Sequence, residues 1–406
     1  MSHVMRPIKD TVPLDEAVRI IDERTAPIER TERIALDDAN GRVVSSDIVA
    51  RADVPPFSRA AMDGYAVIAA DTFGAGQYDP KILACVEKVF TGQVPHNAVT
   101  TGTCIEIATG APMPEGADAV VMVEETERAD GGRVRVFSPV YPRQNVGRQG
   151  ADIQAGQTIL RRGDLLNPSR IGAVAAVGLN DIDVFAKPRV AVMSTGNEIV
   201  EPGQPLAPGQ IYDINRFTLT TILTEHGAVP VPHAVTADTL DDLSLAMDDC
   251  LEADIVIFSG GSSVGERDLI LDVIDRKGEV LIHGIAVKPG KPTLFGVIDG
   301  TPVFGMPGYP TSCLSNAYML LVPVVRKMAR LPMATLRSIR LPLGQRIVST
   351  TGRHQFYTVR IADGIAMPAF KASGDITSMS QADGYIEISA QTEIVDKGEL
   401  VDVKLF

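Results

Sequence analysis

Four Gly-rich stretches in this 406-residue chain combine flexible backbone with lysines, hydroxyls and carboxylates. Three follow short apolar runs that read as strands: Ser194-Thr195-Gly196-Asn197-Glu198, Ser259-Gly260-Gly261-Ser262-Ser263-Val264-Gly265-Glu266-Arg267-Asp268, and Lys288-Pro289-Gly290-Lys291-Pro292. The fourth, Gly305-Met306-Pro307-Gly308-Tyr309-Pro310-Thr311-Ser312, opens a long apolar helical pattern. Glycine lets a ligand approach the backbone. Unpaired N–H groups at a helix start attract anions, and lysine is a compact positive charge suited to phosphate or an oxyanion. In open α/β sheets ligands bind outside the carboxyl ends of the strands. The combination suits a phosphorylated or oxyanion substrate handled with a divalent metal.

Each stretch also has a plainer reading. The turn at 288–292 can be a solvated surface turn, and 305–312 an ordinary helix start with Pro310 at its first position. Asp268 can hold a metal or cap the following helix, and Glu198 and Asp238 carry the same ambiguity. What favours chemistry is the recurrence of such loops at successive strand ends. Asp63 and Asp152 lie outside this sheet. They join the site only if the segment around them folds over it or a second subunit supplies them.

Composition narrows the function. With 38 Lys and Arg against 51 Asp and Glu, the formal charge is −13, which excludes a broad nucleic-acid surface. Local lysines can still bind a small anion in an acidic protein. The four cysteines form no CxxC pair and the six histidines no HExxH or HxH pattern, so neither zinc nor a disulfide framework is expected. The N-terminus, Met1-Ser2-His3-Val4-Met5-Arg6-Pro7, lacks the apolar stretch of a signal peptide. No segment nears the ~20 apolar residues of a membrane span, so a cytoplasmic protein is expected.

The elements that must position these residues follow from periodicity. Residues 11–26 read as an amphipathic helix with Leu14, Val18 and Ile21 at helical spacing. Short Val- and Ile-rich runs over 81–137, broken by turns such as Asp130-Gly131-Gly132, read as a β-rich insertion. Residues 167–180 return to helix, with Asn167 as N-cap and Pro168 behind it. From 188 onward strands and helices alternate: strands at 190–193, 229–235, 254–258, 280–287, 293–298 and 302–305, helices at 213–226, 239–252, 269–277 and ~310–329. That alternation means a doubly wound, mostly parallel α/β sheet. Short strands after 333 suggest a closing β-barrel or sandwich. The reading is multidomain α/β plus β: a discontinuous helical subdomain (1–50 and 153–186), a β-rich insertion (51–152), an α/β domain (187–332) and a C-terminal β-barrel (333–406).

The motifs together resemble the molybdopterin molybdenumtransferase family, the MoeA proteins and the gephyrin E-domain. The resemblance rests on Arg59-Ala60-Ala61-Met62-Asp63-Gly64-Tyr65-Ala66-Val67, Thr109-Gly110-Ala111-Pro112-Met113-Pro114-Glu115-Gly116-Ala117-Asp118, Gly150-Ala151-Asp152-Ile153 and Tyr212-Asp213-Ile214-Asn215, besides the loops above. It implies that adenylyl-molybdopterin and molybdate, or tungstate, give molybdenum cofactor and AMP with Mg2+. It implies a homodimer whose cleft lies between the α/β domain of one subunit and the β insertion of the other. Asp63, Asp152, Glu198, Asp238 and Asp268 would then be the catalytic carboxylates, with Glu198, Asp238 and Asp268 on the metal. Thr109, Thr195, Gly196, Gly260, Gly261, Ser263, Lys288, Lys291, Pro307, Gly308, Pro310, Ser312, Arg353 and Ser373 would contact the pterin or the anion.

Two positions depart from the pattern of many members: Tyr309 replaces Asn, and Ser262 replaces Val. Both lie in ligand-facing loops and bear on the choice of oxyanion. Two alternatives are a non-catalytic dimeric scaffold of the gephyrin type and a molybdopterin adenylyltransferase. A molybdopterin adenylyltransferase is also the expected source of the substrate. A metal-dependent phosphohydrolase is the third alternative, and would act on simple nucleotides without molybdate.

Overall fold

A computed structural model describes residues 8, 10–236, 239–260, 269–334 and 337–406. The chain parts into two compact units, one of residues 33–184 and the other of residues 1–32 with 185–406.

The larger unit is built on a six-stranded sheet, in the order Val229–Pro232, Arg189–Ser194, Ile255–Ser259, Thr301–Met306, Leu294–Ile298, Glu279–His283. The first four strands are parallel and the last two pair antiparallel. The expected mostly parallel sheet is therefore mixed. The antiparallel half follows from Asp299-Gly300, both at positive φ, a two-residue hairpin turn matched to strand twist. Along the central strands side chains alternate between two cores, as the period of two requires. Val190, Val192, Ile255 and Ile257 enter one, and Ala191, Met193, Val256 and Phe258 the other. Burial on both faces explains the unbroken apolar runs.

The helix Leu14–Glu23 adds Ala17 and Ile21 to the first of these cores. The apolar helix expected at ~310–329 consists of Pro310–Asn316, a π-helical turn Ala317–Leu321 and Val322–Met328. The widened turn falls just ahead of Pro323, whose nitrogen has no hydrogen for the helical ladder.

One strand expectation fails. The run at 280–287 breaks at Gly284, where φ is +101° and a Cβ would stand 2.4 Å from the Ile8 side chain. Val287–Lys288 leaves the α/β sheet and pairs with His354 and Gln355. The C-terminal sheet runs Val287–Lys288, His354–Ala362, Gly384–Ile388, Leu400–Leu405, Ser338–Pro342. Ile365–Pro368 pairs on His354–Ala362, and a bridge from Leu343 to Ala366 joins its two sides.

The smaller unit holds a six-stranded sheet ordered Ala119–Met122, Gly64–Val67, Thr103–Ile107, Lys81–Val89, Arg133–Val136, Thr126–Ala129. Its final hairpin turns through Asp130-Gly131-Gly132 as expected. The helix Pro168–Ala176 is capped by Asn167, whose side chain accepts from the Arg170 N–H at 2.9 Å.

Candidate functional site

In the larger unit, Ser194, Ser259 and Met306 stand in register at the carboxyl ends of three adjacent parallel strands. The ladder continues one residue further, with the Thr195 N–H donating to the Ser259 carbonyl (3.0 Å) and the Gly260 N–H to that of Met306 (3.2 Å). Gly260 sits at φ +97° with room for no Cβ, since one would lie 2.4 Å from the Thr195 carbonyl oxygen. A Cβ on Gly308 would lie 3.5 Å from the Gly260 Cα. The Asn215 amide donates to the Gly308 carbonyl at 2.8 Å. Thr195, Gly260 and Gly308 thus form one continuous floor.

Beneath this floor is a buried polar network. Ser194 Oγ donates to Asp213 Oδ1 at 2.9 Å and lies 3.1 Å from Ser259 Oγ. Asp213 Oδ1 also receives the Arg216 N–H, while Oδ2 stands 3.6 Å from Arg216 Nε. Thr195 Oγ1 and Asn215 Oδ1 are buried without a hydrogen-bond partner. A buried acceptor left unmet costs about 1–3 kcal/mol, which marks this floor as unfinished without a ligand. Gly196, at φ +140°, lies under the exposed Glu198 carboxylate, whose Oε1 would be 2.7 Å from a Cβ there.

The lysine turn corrects an expectation. Its two ammonium groups have separate anchors: Lys288 Nζ donates to Thr350 Oγ1 at 2.8 Å, and Lys291 Nζ to the Ile8 carbonyl at 2.9 Å. Lys291 is therefore tied to the backbone of the N-terminal segment. Gly290 packs directly on Asn316, with φ +102° and a Cβ position 2.4 Å from the Asn316 amide. Asn316, fully buried, donates to the Gly290 carbonyl (2.8 Å) and lies 2.6 Å from Thr293 Oγ1. One amide thus fastens the lysine turn to the helix that opens after Pro307-Gly308-Tyr309-Pro310.

That helix start is also less open than its sequence suggests. The Thr311 N–H donates to the Ser373 carbonyl (3.1 Å) and Thr311 Oγ1 to that of Asp375 (2.9 Å). Ser373 thus reaches this region through its backbone. Pro307 and Ser312 are buried, Pro310 is the first helical residue, and Tyr309 is exposed beside Gly374. Arg353 directly precedes His354, the register partner of Val287, so it lies on the strand that holds Lys288.

The smaller unit gathers a second cluster. Asp63 Oδ1 accepts from both the Thr109 N–H (2.7 Å) and the Thr109 hydroxyl (2.9 Å). These bonds, the backbone one first, hold the exposed Asp63 carboxyl below its ordinary range. Arg59-Ala60 runs between two other segments: Ala60 exchanges backbone bonds with Gly110 and Ala111 and pairs with Val146. The return stretch continues to Asp152, whose N–H donates to the Val54 carbonyl at 3.0 Å. The Asp152 side chain is exposed.

Three sequence families match this chain in order: "MoeA N-terminal region (domain I and II)" over 12–178, "Probable molybdopterin binding domain" over 191–327, and "MoeA C-terminal region (domain IV)" over 340–406. Molybdopterin molybdenumtransferase 2 of Mycobacterium tuberculosis is 33% identical, covering 91% of this chain and 94% of that protein. The molybdopterin molybdenumtransferase of Haemophilus influenzae is 34% identical over 78% of this chain and 77% of its own length. A crystal structure of a molybdopterin biosynthesis MoeA protein from Pyrococcus horikoshii superposes with a TM-score of 0.86 at 40% identity, covering 98% of this chain and 99% of that one. The chain belongs to the MoeA family of molybdopterin molybdenumtransferases.

In this MoeA chain the structure brings together Thr195, Gly196, Glu198, Gly260 and Gly308 at the strand ends, and separately Asp63 with Thr109. Gly261, Ser263, Asp238 and Asp268 lie outside the described residues. Among the described residues no three His, Cys, Asp or Glu side chains cluster as a metal site, and no helix is long and apolar enough to cross a membrane. Sequence reasoning gave no role to Asn215, Asn316 or Thr350. Asn316 had a usable signal, an amide inside an otherwise apolar helical run. Thr350 had none, because its contact with Lys288 spans two sheets.

Proposed function

We propose that this protein inserts molybdenum into molybdopterin: adenylyl-molybdopterin and molybdate give molybdenum cofactor and AMP. The observation that carries this reading is the buried floor of Thr195, Gly260, Asn215 and Gly308 at the parallel strand ends, with unmet acceptors. It is supported by the similarity to named transferases over nine-tenths of the chain. Cleaving the adenylyl bond needs charge neutralisation and in-line geometry more than a protein nucleophile. Magnesium fits this donor set, since it takes one or two carboxylates and leaves its other positions to water and phosphate. Glu198 is the described carboxylate placed for it, with Asp238 and Asp268 as further ligands. Bound there, the ion would neutralise the pyrophosphate.

Lys288 supplies positive charge to the oxyanion or pterin phosphate, and Arg353 stands on the adjoining strand. Asp63, Thr109 and Asp152 serve the same reaction from a second copy of the chain in a homodimer. The four-part division at 50, 152, 186 and 332, closing in a β-barrel, belongs to the same reading. So do a cytoplasmic setting and direct receipt of substrate from an adenylyltransferase. Mixing inactive Asp63→Asn and Lys288→Met proteins should restore about a quarter of wild-type AMP release through reassorted dimers with one intact site. No recovery in verified mixed dimers would remove the shared-site reading.

The test of function is AMP release from adenylyl-molybdopterin with Mg2+ and either molybdate or tungstate. Release that depends on the oxyanion, with metal found in the pterin, is the expected result. Folded dimer that releases no AMP with either oxyanion overturns it.

A further inference from the structure

The geometry points to a modification site in the smaller unit: Cys85 and Cys104 form a peroxide-reactive dithiol that closes to a disulfide. Cys85 and Cys104 are direct register partners on the adjacent parallel strands Lys81–Val89 and Thr103–Ile107. Adjacent strands lie about 4.8 Å apart, inside the roughly 4.4–6.8 Å that a disulfide spans between Cα atoms. Both side chains also face the same way. Leu83, two residues before Cys85, is buried in the core that holds Cys104, and Cys85 packs against that core, whereas Ile105 and Ile107 enter the opposite one.

The two thiols are unequal. Cys104 is fully buried, and Cys85 is partly open at a bulge where the register shifts between Cys85 and Glu87. Cys85 Sγ donates to the Glu87 carbonyl at 3.4 Å. The hydrogen bond from the Cys104 thiol lowers the Cys85 thiol to about 6, against burial and the nearby Glu106 carboxylate. The same pairing, with burial, pushes Cys104 up. The exposed member is thus the one poised as thiolate, as a reactive cysteine requires.

The chemistry balances with a hydroperoxide as oxidant. The Cys85 thiolate attacks one peroxide oxygen and the O–O bond breaks. The departing oxygen takes a proton and leaves as water or alcohol, and Cys85 becomes a sulfenic acid. The Cys104 sulfur then attacks Cys85 Sγ, the S–S bond forms, and hydroxide leaves with the Cys104 proton as water. Two thiols lose two electrons and the peroxide gains them. The linked strands are the ones that lead to Thr91 and Thr109, whose hydroxyl and carbonyl meet at 2.7 Å beside Asp63.

The test is to treat the full-length protein with a small excess of hydrogen peroxide, alkylate it, and map its peptides by mass spectrometry. The expected result is loss of two of the four free thiols, a linked 85–104 peptide lighter by two hydrogens, and reversal by dithiothreitol. In Cys104→Ser protein, dimedone should trap a sulfenic acid at Cys85. If that variant fails to fold, the wild-type peptide map decides alone. Cys85 and Cys104 both recovered as alkylated thiols, or a disulfide involving Cys250 or Cys313 instead, overturns the proposal.

Discussion

The strand-end floor of the larger unit and the Asp63 cluster of the smaller one solve opposite problems. At the floor, polar atoms are buried and two of them, Thr195 Oγ1 and Asn215 Oδ1, have no partner. Around Asp63 the polar atoms are exposed and already satisfied by Thr109. A buried unmet acceptor is a cost that a ligand can relieve. An exposed carboxylate held by two donors costs little and stays ionised. The first arrangement is a receptor shaped for one occupant, and the second is a charge kept ready.

The largest effects should come from the glycines that make each arrangement. A Cβ at Gly64 would lie 1.9 Å from the Val121 carbonyl oxygen, so Gly64→Ala should destabilise the smaller unit by roughly 3 kcal/mol or more. Gly260→Ala meets the Thr195 carbonyl and a left-handed φ, and should cost roughly 2–3 kcal/mol in the larger unit. Thermal melts with limited proteolysis would show which unit opens. Loss of the wrong unit in either variant would break the comparison.

Removing Asn316 should come next. Asn316→Ala strands the Gly290 carbonyl and frees the lysine turn, for about 2 kcal/mol of stability. Chemical denaturation measures the loss, and a change below about 0.5 kcal/mol would show that the turn is held by other contacts.

The two units should also differ in acid. The His354 ring at 3.5 Å and then Lys404 hold Glu387, in the C-terminal sheet, down to about 2. Its folded-state pKa lies below the unfolded value of about 4.5, so it stabilises fully above that pH and loses the contribution as pH falls towards 2. Glu387→Gln should flatten the stability profile of the larger unit across that window, by at most about 1–2 kcal/mol after solvent screening. An unchanged acid profile would remove this pair from the account.

The smallest effect separates the two lysines. Lys291→Met should lower stability by about 1 kcal/mol through the lost bond to Ile8, with the KM for the oxyanion unchanged. Lys288→Met should raise that KM and leave the melt in place. The reverse pattern would mean that the turn is oriented by something other than the Ile8 and Thr350 contacts.

Much of this was legible because local chemistry and global fold agree. Asn167 before Pro168 had to cap a helix, and Asp130-Gly131-Gly132 had to turn a hairpin. The Gly-rich loops had to end parallel strands, because only there could they converge. What stayed hidden depended on contacts without sequence period. Gly284 breaks a strand because Ile8 packs on it, and Lys291 is taken by a carbonyl 283 residues away. The meeting of Asp63 with Thr109 was carried by motif resemblance alone, since no spacing rule joins residues 46 apart on different strands.

The most direct measurement is single-turnover AMP release from adenylyl-molybdopterin by Asp63→Asn and Lys288→Met proteins, each shown to be folded by its melt. If both clusters serve one reaction, each variant should lose about 100-fold or more in rate at saturating molybdate or tungstate. Wild-type rates in the Asp63→Asn protein, with loss only in Lys288→Met, would contradict the account and confine the chemistry to the strand-end floor.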